Sequence, residues 1–268
     1  MIGFIGGGNM AEALIKGMMQ DTRYRMQDII VSEPREDRRK YLEQTYGVKT
    51  TSSNKDVALS CNIVILAVKP QNMAEVLNEI AELITDEKTV VSIAAGITFS
   101  YLQSRLKTKK LIRVMPNTPA LIQEGMSVMS MCECISDKEI MMARDIFMSV
   151  GRLLILPEKY MDAVTALSGS GPAFISFFVK AMIEGGIKMG LSRDNSTELT
   201  IQTLLGTAKL LDGGMSPEKL MEMVTSPGGT TAAGLKVFNE RGFKDIIISA
   251  IEAATNRAKE LGKKGDIL

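Results

Sequence analysis

Residues 1–19, MIGFIGGGNMAEALIKGMM, decide the fold of this chain. An apolar run of strand length ends at three glycines, and a stretch with helical periodicity, rich in Ala, Leu and Met, follows them. The pattern G-x-G-x-x-G/A is matched by Gly6, Gly8 and Ala11. Gly6 permits a tight turn, Gly8 lets a pyrophosphate approach the backbone, and Ala11 lets the helix pack on the strand. We therefore predict a dinucleotide-binding turn at the N-terminus of a helix.

Short β-branched runs and amphipathic stretches alternate from this motif to about residue 156. Strands are predicted at residues 1–5, 28–32, 61–68, 90–94, 111–115 and 152–156. Strand–helix alternation with short connections predicts a parallel, doubly wound α/β sheet. Beyond Pro157 the periodicity is helical throughout. We therefore predict a dinucleotide-binding domain over residues 1–157 and an all-helical domain over residues 158–268.

Composition excludes several classes of protein. The 32 basic and 31 acidic residues among 268 give a charge of +1, which argues against a nucleic-acid partner. The chain has no histidine, which excludes a Ser-His-Asp hydrolase and a His-ligated zinc enzyme. Cys61, Cys132 and Cys134 fit no structural zinc pattern, so we expect no metal and reduced thiols in a cytoplasmic protein. No apolar run approaches the ~20 residues of a membrane span, so we expect no membrane partner.

The end of the second predicted strand bears on the choice of cofactor. Glu33 stands 25 positions after Gly8. An acidic side chain there can accept hydrogen bonds from the ribose hydroxyls of NAD and repel a 2′-phosphate. Arg35, Arg38 and Arg39 follow, and they could instead bind that phosphate. The residues leave NADH and NADPH as open alternatives.

Ligands of open α/β sheets lie beyond the carboxyl ends of the strands. The segments AVKP at 67–70 and AAG at 94–96 end two predicted strands and should line a cofactor groove, which Asn54 could reach. Two prolines make the loop MPNTP at 115–119 rigid, so that Asn117 could face the nicotinamide. The predicted cofactor-binding residues are Gly6, Gly7, Gly8, Asn9, Met10, Ala11, Glu33, Arg35, Asn54, Ala67, Val68, Lys69, Pro70, Ala94, Ala95, Gly96 and Asn117.

In the helical half, VTSPGGTT at residues 224–231 separates two predicted helices. Pro227, Gly228 and Gly229 prevent continuation of the first helix, and the threonine pair begins the second. Free backbone N–H groups and hydroxyls would then surround one small anion, for which a carboxylate is the obvious guest. A plain helix–helix turn with threonine caps is the alternative, and composition alone leaves both open.

These motifs together resemble the pyrroline-5-carboxylate reductase family over essentially the whole chain. The resemblance is carried by IGFIGGGNMA at 2–11, AVKP at 67–70, SIAAG at 92–96, MPNTP at 115–119, ALSGSGPA at 166–173 and VTSPGGTTAAGL at 224–235. It implies a Rossmann domain, a helical dimerisation domain, and assembly of dimers into larger rings, often decamers. It further implies reduction of 1-pyrroline-5-carboxylate to L-proline by NADPH or NADH in the last step of proline biosynthesis.

The same resemblance implies roles in the 224–231 loop. Thr231 would lie near the ring nitrogen of the substrate as the catalytic residue. The implied substrate-binding residues are Val224, Ser226, Gly229, Thr230 and Thr231.

The sequence leaves two alternative functions open. One is another imine reductase or a β-hydroxyacid reductase of the same architecture. Such dehydrogenases typically rely on a lysine in the helical domain, and Lys180 and Lys188 lie in no such motif. The other is a non-catalytic cofactor-sensing paralogue. An intact VTSPGGTT segment argues against a sensor, because a sensor needs no site for a substrate carboxylate.

Overall fold

The computed structural model describes residues 1–265, with side chains as far as residue 262. The chain divides into two compact units. The first contains Met1–Ser170 together with the described residues from Ala253 onward, and the second is Gly171–Glu252. Each unit is described by itself below.

Unit one is built on a single eight-stranded sheet with the strand order β3-β2-β1-β4-β5-β6-β7-β8. The strands are β1 (Ile2–Ile5), β2 (Ile29–Ser32), β3 (Lys49–Thr51), β4 (Ile63–Leu66), β5 (Thr89–Ser92), β6 (Leu111–Met115), β7 (Gly125–Met131) and β8 (Gly151–Ile155). All pairings of these strands are parallel except that of β6 with β7. The prediction of a doubly wound, Rossmann-like α/β sheet followed by helices is confirmed, with the difference that β7 and β8 run antiparallel to the other six strands.

Helices cover both faces of the sheet. They are α1 (Asn9–Met19), α2 (Glu36–Tyr46), α3 (Asn54–Ser60), α4 (Met73–Ile80), α5 (Phe99–Gln103), α6 (Asp137–Met148) and α7 (Met161–Val164). Residues Thr165–Gly169 continue α7 as a π-helical turn. Local sequence explains several of the boundaries: Ser136 and Glu139 form a reciprocal capping box at the start of α6, and α2 ends at Gly47, whose φ is 68°.

Two apolar clusters form the core, one on each face of the sheet. Successive side chains of a strand point to opposite faces, so Phe4 belongs to one cluster and Ile5 to the other. Neither has any solvent exposure. Phe4 packs in the cluster that contains Leu14 of α1, and Ile5 in the cluster that contains Leu77 of α4. This two-sided burial explains why β1 and β4 are apolar at nearly every position.

Unit two is helical throughout its described residues. It contains α8 (Gly171–Lys188), α9 (Arg193–Asp212), α10 (Pro217–Val224), α11 (Thr230–Glu240) and the first part of α12 (Phe243–Gly265). Many of its apolar side chains are exposed in the single chain, including Phe177 at 77% and Ile175 at 52%.

One helix departs from the expectation that no apolar run approaches the length of a membrane span, while the expectation of no membrane partner stays a prediction. The helical run Glu158–Lys188 is long and apolar enough to cross a membrane by length and composition, with a mean hydropathy of 1.3 in its most apolar window. Gly, Ser and Pro interrupt its apolar letters, so a search for an unbroken apolar string misses it. One such helix is weak support for a membrane span.

Candidate cofactor and substrate sites

The turn after β1 requires glycine at its first position. Gly6 has a φ of +99°, and a Cβ atom placed on it would lie 2.7 Å from the carbonyl oxygen of Ala67. Its N–H donates to the carbonyl oxygen of Ser32 at 2.9 Å, while Ala67 N–H donates to Ile5 O at 2.8 Å. The turn is therefore held between the carboxyl ends of β2 and β4, and a side chain at Gly6 would force them apart.

Gly8 is the N-cap of α1, and its surroundings are open. Its φ of −72° and ψ of −174° suit any residue, and no atom lies within 4 Å of a Cβ built on it. The first backbone bond of the helix runs from Glu12 N–H to Gly8 O at 3.0 Å, and no side chain caps the helix. The N–H groups of Asn9, Met10 and Ala11 therefore lack intrahelical acceptors, and this end of α1 can bind an anion.

These N–H groups border a groove of about 490 Å³ along the carboxyl ends of β1, β4, β5 and β6. The groove is lined by Gly8, Asn9, Met10, Ala67, Val68, Lys69, Pro70, Ile93, Ala94, Ala95, Met115 and Pro116. Most of these residues were predicted to bind the cofactor. Ile93, Met115 and Pro116 were not, although the last two belong to the proline-flanked motif that the sequence singled out. The groove lies beyond the carboxyl ends of the strands, where open α/β sheets bind their ligands.

Other predicted residues lie beneath or beside the groove rather than on its lining. Ala11 is buried against the sheet, as the third position of the glycine motif requires. Gly96 has a φ of +76° and packs close to Leu261 of α12. The Asn54 amide donates to Glu79 Oε2 and accepts from Ser32 Oγ, both at 2.7 Å. Contact of these residues with a cofactor stays a prediction.

The Glu33 carboxylate is fixed directly beneath the glycine turn. Only 7% of the residue is exposed, and Oε2 accepts a hydrogen bond from Gly7 N–H at 3.1 Å. Oε1 accepts from the backbone N–H of Arg35 at 3.3 Å and from its Nε at 3.1 Å. A carboxylate held in this way cannot turn away from a ligand that reaches the end of β2.

The neighbouring arginines also have partners in this structure. Arg38 donates from Nε to Gly7 O at 2.7 Å and forms an ion pair with Glu12 at 2.5 Å. Arg39 donates to the carbonyl oxygens of Glu33 and Pro34 at 2.7 and 2.8 Å. A 2′-phosphate would have to draw these guanidinium groups out of existing contacts.

Glu12 keeps Arg38 in place as a charged partner. Burial raises the pKa of Glu12, but hydrogen bonds from Arg38, Tyr46 and Tyr41 outweigh burial and leave that pKa below its usual value. The tyrosine hydroxyls donate to Glu12 Oε1 at 2.8 and 2.9 Å. Arg38 therefore supports the glycine turn from below.

Asn117 connects three segments at one end of the groove. Its Nδ2 donates to both the carbonyl oxygen and Oγ of Ser168 at 3.3 Å, and its Oδ1 accepts from Met126 N–H at 2.8 Å. Ser168 lies in the π-helical turn, and Met126 lies at the start of β7. The prediction that Asn117 contacts the nicotinamide is not tested by this arrangement, in which both ends of the amide already have partners.

The predicted substrate loop in unit two joins α10 to α11. Gly228 has a φ of +71°, so the turn depends on glycine there, and a Cβ on Gly229 would lie 2.4 Å from Ser226 Oγ, which would have to move aside. The first helical bond runs from Ala233 N–H to Gly229 O at 3.1 Å. The N–H groups of Thr230, Thr231 and Ala232 are therefore without intrahelical acceptors, and Gly229 supplies no side-chain cap. This helix start has the geometry for a small anion.

Within the described part of the chain, no three His, Cys, Asp or Glu side chains are grouped closely enough to hold a metal ion.

Known proteins are similar to this chain along its whole length. A family model for the pyrroline-5-carboxylate reductase dimerisation domain matches residues 158–261, and one for F420-dependent NADP oxidoreductases matches residues 1–96. The chain is 40% identical over 264 residues to the pyrroline-5-carboxylate reductase of Synechocystis sp., covering 98% of both chains. It is 40% identical over 265 residues to pyrroline-5-carboxylate reductase 3 of Rattus norvegicus, covering 98% of this chain and 96% of that one.

Solved structures give the same result. A pyrroline carboxylate reductase of Plasmodium falciparum with NADP bound matches with a TM-score of 0.87 and 32% identity, over 97% of both chains. A pyrroline-5-carboxylate reductase of Coxiella burnetii matches with a TM-score of 0.89 and 35% identity, also over 97% of both chains.

Proposed function

The chain belongs to the pyrroline-5-carboxylate reductase family, and on that premise we propose how its residues reduce 1-pyrroline-5-carboxylate to L-proline with NAD(P)H. The family resemblance read from the motifs is confirmed. The assignments of individual residues that follow are our proposals.

We place the cofactor pyrophosphate at the N-terminus of α1. The observation that carries this placement is the uncapped helix start at Gly8, which opens into the groove with no atom within 4 Å of the Gly8 Cβ position. The adenosine ribose then lies toward Glu33 at the end of β2. In the sheet, β4, β5 and β6 lie in that order on the side of β1 opposite β2. The nicotinamide half of the cofactor therefore extends toward Met115 and Pro116.

We place the substrate carboxylate at the N-terminus of α11, on the N–H groups of Thr230 and Thr231. A cyclic imine needs a hydride at C5 and a proton on nitrogen, and the reduced nicotinamide supplies the hydride when it is bound. A protonated imine is already electrophilic, so no strong base is needed, which fits a chain without histidine. The protein must align the reacting atoms, and the Thr231 hydroxyl can donate a hydrogen bond to the ring nitrogen of the neutral imine and accept one from its N–H once the imine is protonated.

Self-association follows from the dimerisation domain, and we propose a homodimer as the basic unit, with decamers built from it. The exposed apolar side chains of α8 and α9, Phe177 among them, support an interface there. We also propose domain limits of 1–157 and 158–268, which the start of the dimerisation match at residue 158 supports. The unpaired cysteines fit the cytoplasmic location that we propose.

The deciding experiment measures oxidation of NADH and of NADPH by the purified chain with pyrroline-5-carboxylate. We expect turnover with at least one cofactor and stoichiometric formation of proline. A β-hydroxyacid with NAD or NADP serves as the control for a dehydrogenase of the same architecture. Cofactor binding without turnover of the imine would instead favour a sensor, and absence of turnover with both cofactors would contradict the proposal.

A further inference from the structure

The side chain of Asn117 holds together parts of unit one that are far apart in sequence. Asn117 follows β6, Met126 is the second residue of β7, and Ser168 lies 51 residues further along than Asn117. A primary amide has two N–H donors and one carbonyl acceptor. Here the carbonyl accepts from Met126 N–H at 2.8 Å, and Nδ2 reaches the carbonyl oxygen and the hydroxyl of Ser168. Both ends of the amide are therefore occupied by protein groups.

The segment that Asn117 holds is a π-helical turn, Thr165–Gly169. Ser170 N–H donates to Thr165 O at 2.9 Å across this wide turn, and Thr165 Oγ1 donates to Met161 O at 2.8 Å. π-turns are rare and occur frequently at functional sites. The Asn117 amide holds this one from outside its own backbone, at Ser168.

The π-turn packs behind one wall of the groove. A Cβ atom on Gly169 would lie 2.6 Å from Met115 Cε, so the bare backbone of Gly169 packs directly on the Met115 side chain. Met115 and Pro116 line the groove at the end of β6. A flexible methionine takes the position that its neighbours impose. The position of the π-turn therefore limits where the end of the Met115 side chain can lie.

We propose that Asn117 is a positioning residue, which holds the Thr165–Gly169 turn against Met115 and thereby fixes the wall of the groove on which the nicotinamide rests. The proposal rests on the proposed function, because it takes the β6 end of the groove as the nicotinamide half. In this proposal Asn117 does not contact the cofactor itself and affects its position through Ser168, Gly169 and Met115. Misplacement of reacting groups by about 1 Å costs roughly 100-fold in rate, so this wall matters for hydride transfer.

Two substitutions distinguish the effects of the hydrogen bonds that the Asn117 side chain makes with Met126 and with Ser168. Asn117→Asp keeps an acceptor for Met126 N–H and removes the donors to Ser168, whereas Asn117→Ala removes both. Asn62→Asp, at an exposed position before β4, makes the same chemical change away from the groove. Each protein is assayed for kcat, for the primary isotope effect with NADH deuterated at C4, and for Kd of NADH and of ADP-ribose, which lacks the nicotinamide. Melting temperature reports folding.

We expect both Asn117 variants to lose about tenfold to a hundredfold in kcat and to show a larger isotope effect, because hydride transfer becomes rate-limiting. Their Kd for ADP-ribose should equal that of the wild type and of Asn62→Asp. An unchanged kcat and isotope effect in a folded Asn117→Asp enzyme would overturn the proposal. So would weaker NADH binding with an unchanged isotope effect, which would mark a direct contact with the cofactor.

If the Asn117 variants do not fold, Ser168→Ala tests the same point from the other side. It removes one acceptor of the Asn117 N–H and leaves the bond from Met126 intact. We expect a smaller fall in kcat with the same rise of the isotope effect, and an unchanged isotope effect would contradict the proposal. Failure of the proposed function is distinct from these results, since the wild type itself would then not turn over the imine.

Discussion

The glycine turn after β1 allows substitutions whose effects on folding and on binding are opposite. Gly6 and Gly8 belong to one motif but differ in their surroundings. A side chain at Gly6 would meet Ala67 O at 2.7 Å and Val68 Cγ1 at 3.0 Å, at a φ of +99°. A side chain at Gly8 would meet no protein atom within 4 Å, at a φ of −72°. We compare Gly8→Val with Gly6→Ala.

The magnitudes follow from this geometry. Gly6→Ala forces an unfavourable backbone conformation that costs about 1–3 kcal/mol in folding free energy before any steric contact is counted. Gly8→Val changes only the preference for glycine at an N-cap, which costs at most about 1 kcal/mol. Its branched side chain, however, would occupy the approach of a phosphate to the N–H groups of Asn9 and Met10. One hydrogen bond to a charged group contributes about 1.5–3 kcal/mol, so its loss should raise the Kd of NADH about tenfold to a hundredfold.

Calorimetric titration with NADH and with ADP-ribose, together with thermal unfolding followed by circular dichroism, separates the two effects. Gly8→Val should melt within a few degrees of the wild type and bind both nucleotides weakly. Gly6→Ala should show the larger fall in melting temperature. Wild-type affinity in a folded Gly8→Val protein would refute the placement of the pyrophosphate at α1.

Three further predictions concern other parts of the molecule. Thr231→Ala keeps the backbone N–H and removes the hydroxyl, so kcat and kcat/KM in steady-state kinetics should fall together by about tenfold to a hundredfold. Unchanged kinetics would show that Thr231 has no catalytic role. Glu33→Ser should raise kcat/KM for NADPH relative to NADH, because a fixed carboxylate no longer repels the 2′-phosphate, and an unchanged ratio would contradict the ribose placement. Burial raises the pKa of Glu139, but hydrogen bonds from Lys110 and Ser136 outweigh burial and lower that pKa from 4.5 to about 2. Glu139→Gln should therefore reduce the melting temperature above pH 4.5, and the difference from the wild type should shrink as the pH falls toward 2.

Apolar periodicity predicted six of these strands with bounds that differ by no more than two residues from those observed. These strands are β1, β2, β4, β5, β6 and β8. Two strands were missed for identifiable reasons. Strand β3 has only three polar or half-buried residues, Lys49–Thr51, at the edge of the sheet. Strand β7 contains Ser127 and Ser130, which are almost fully buried although serine is usually exposed, so its letters GMSVMSM give no apolar run.

The position of the groove could be predicted because it depends on local features: glycines with special backbone angles and residues that directly follow strands. The partners of individual side chains could not, because they depend on distant residues. Glu33 accepts from Gly7, 26 positions earlier, and this bond decides where its carboxylate points. Asn117 bonds to Ser168, 51 positions later. A motif shows which residues are close to a ligand, whereas the tertiary contacts decide which of them are free to touch it.

The two proposed anion sites share one physical device. Helices α3, α5, α6, α9 and α10 begin with Ser or Thr side chains that accept a backbone N–H of their own first turn. Helices α1 and α11 begin instead with Gly8 and Gly229, which have no side chain to offer, and their first N–H groups remain available. A side-chain cap at either helix would compete with the ligand for the same donors. Glycine therefore gives up a stabilising cap of about 1 kcal/mol at the two helix starts where we propose that a phosphate and a carboxylate bind.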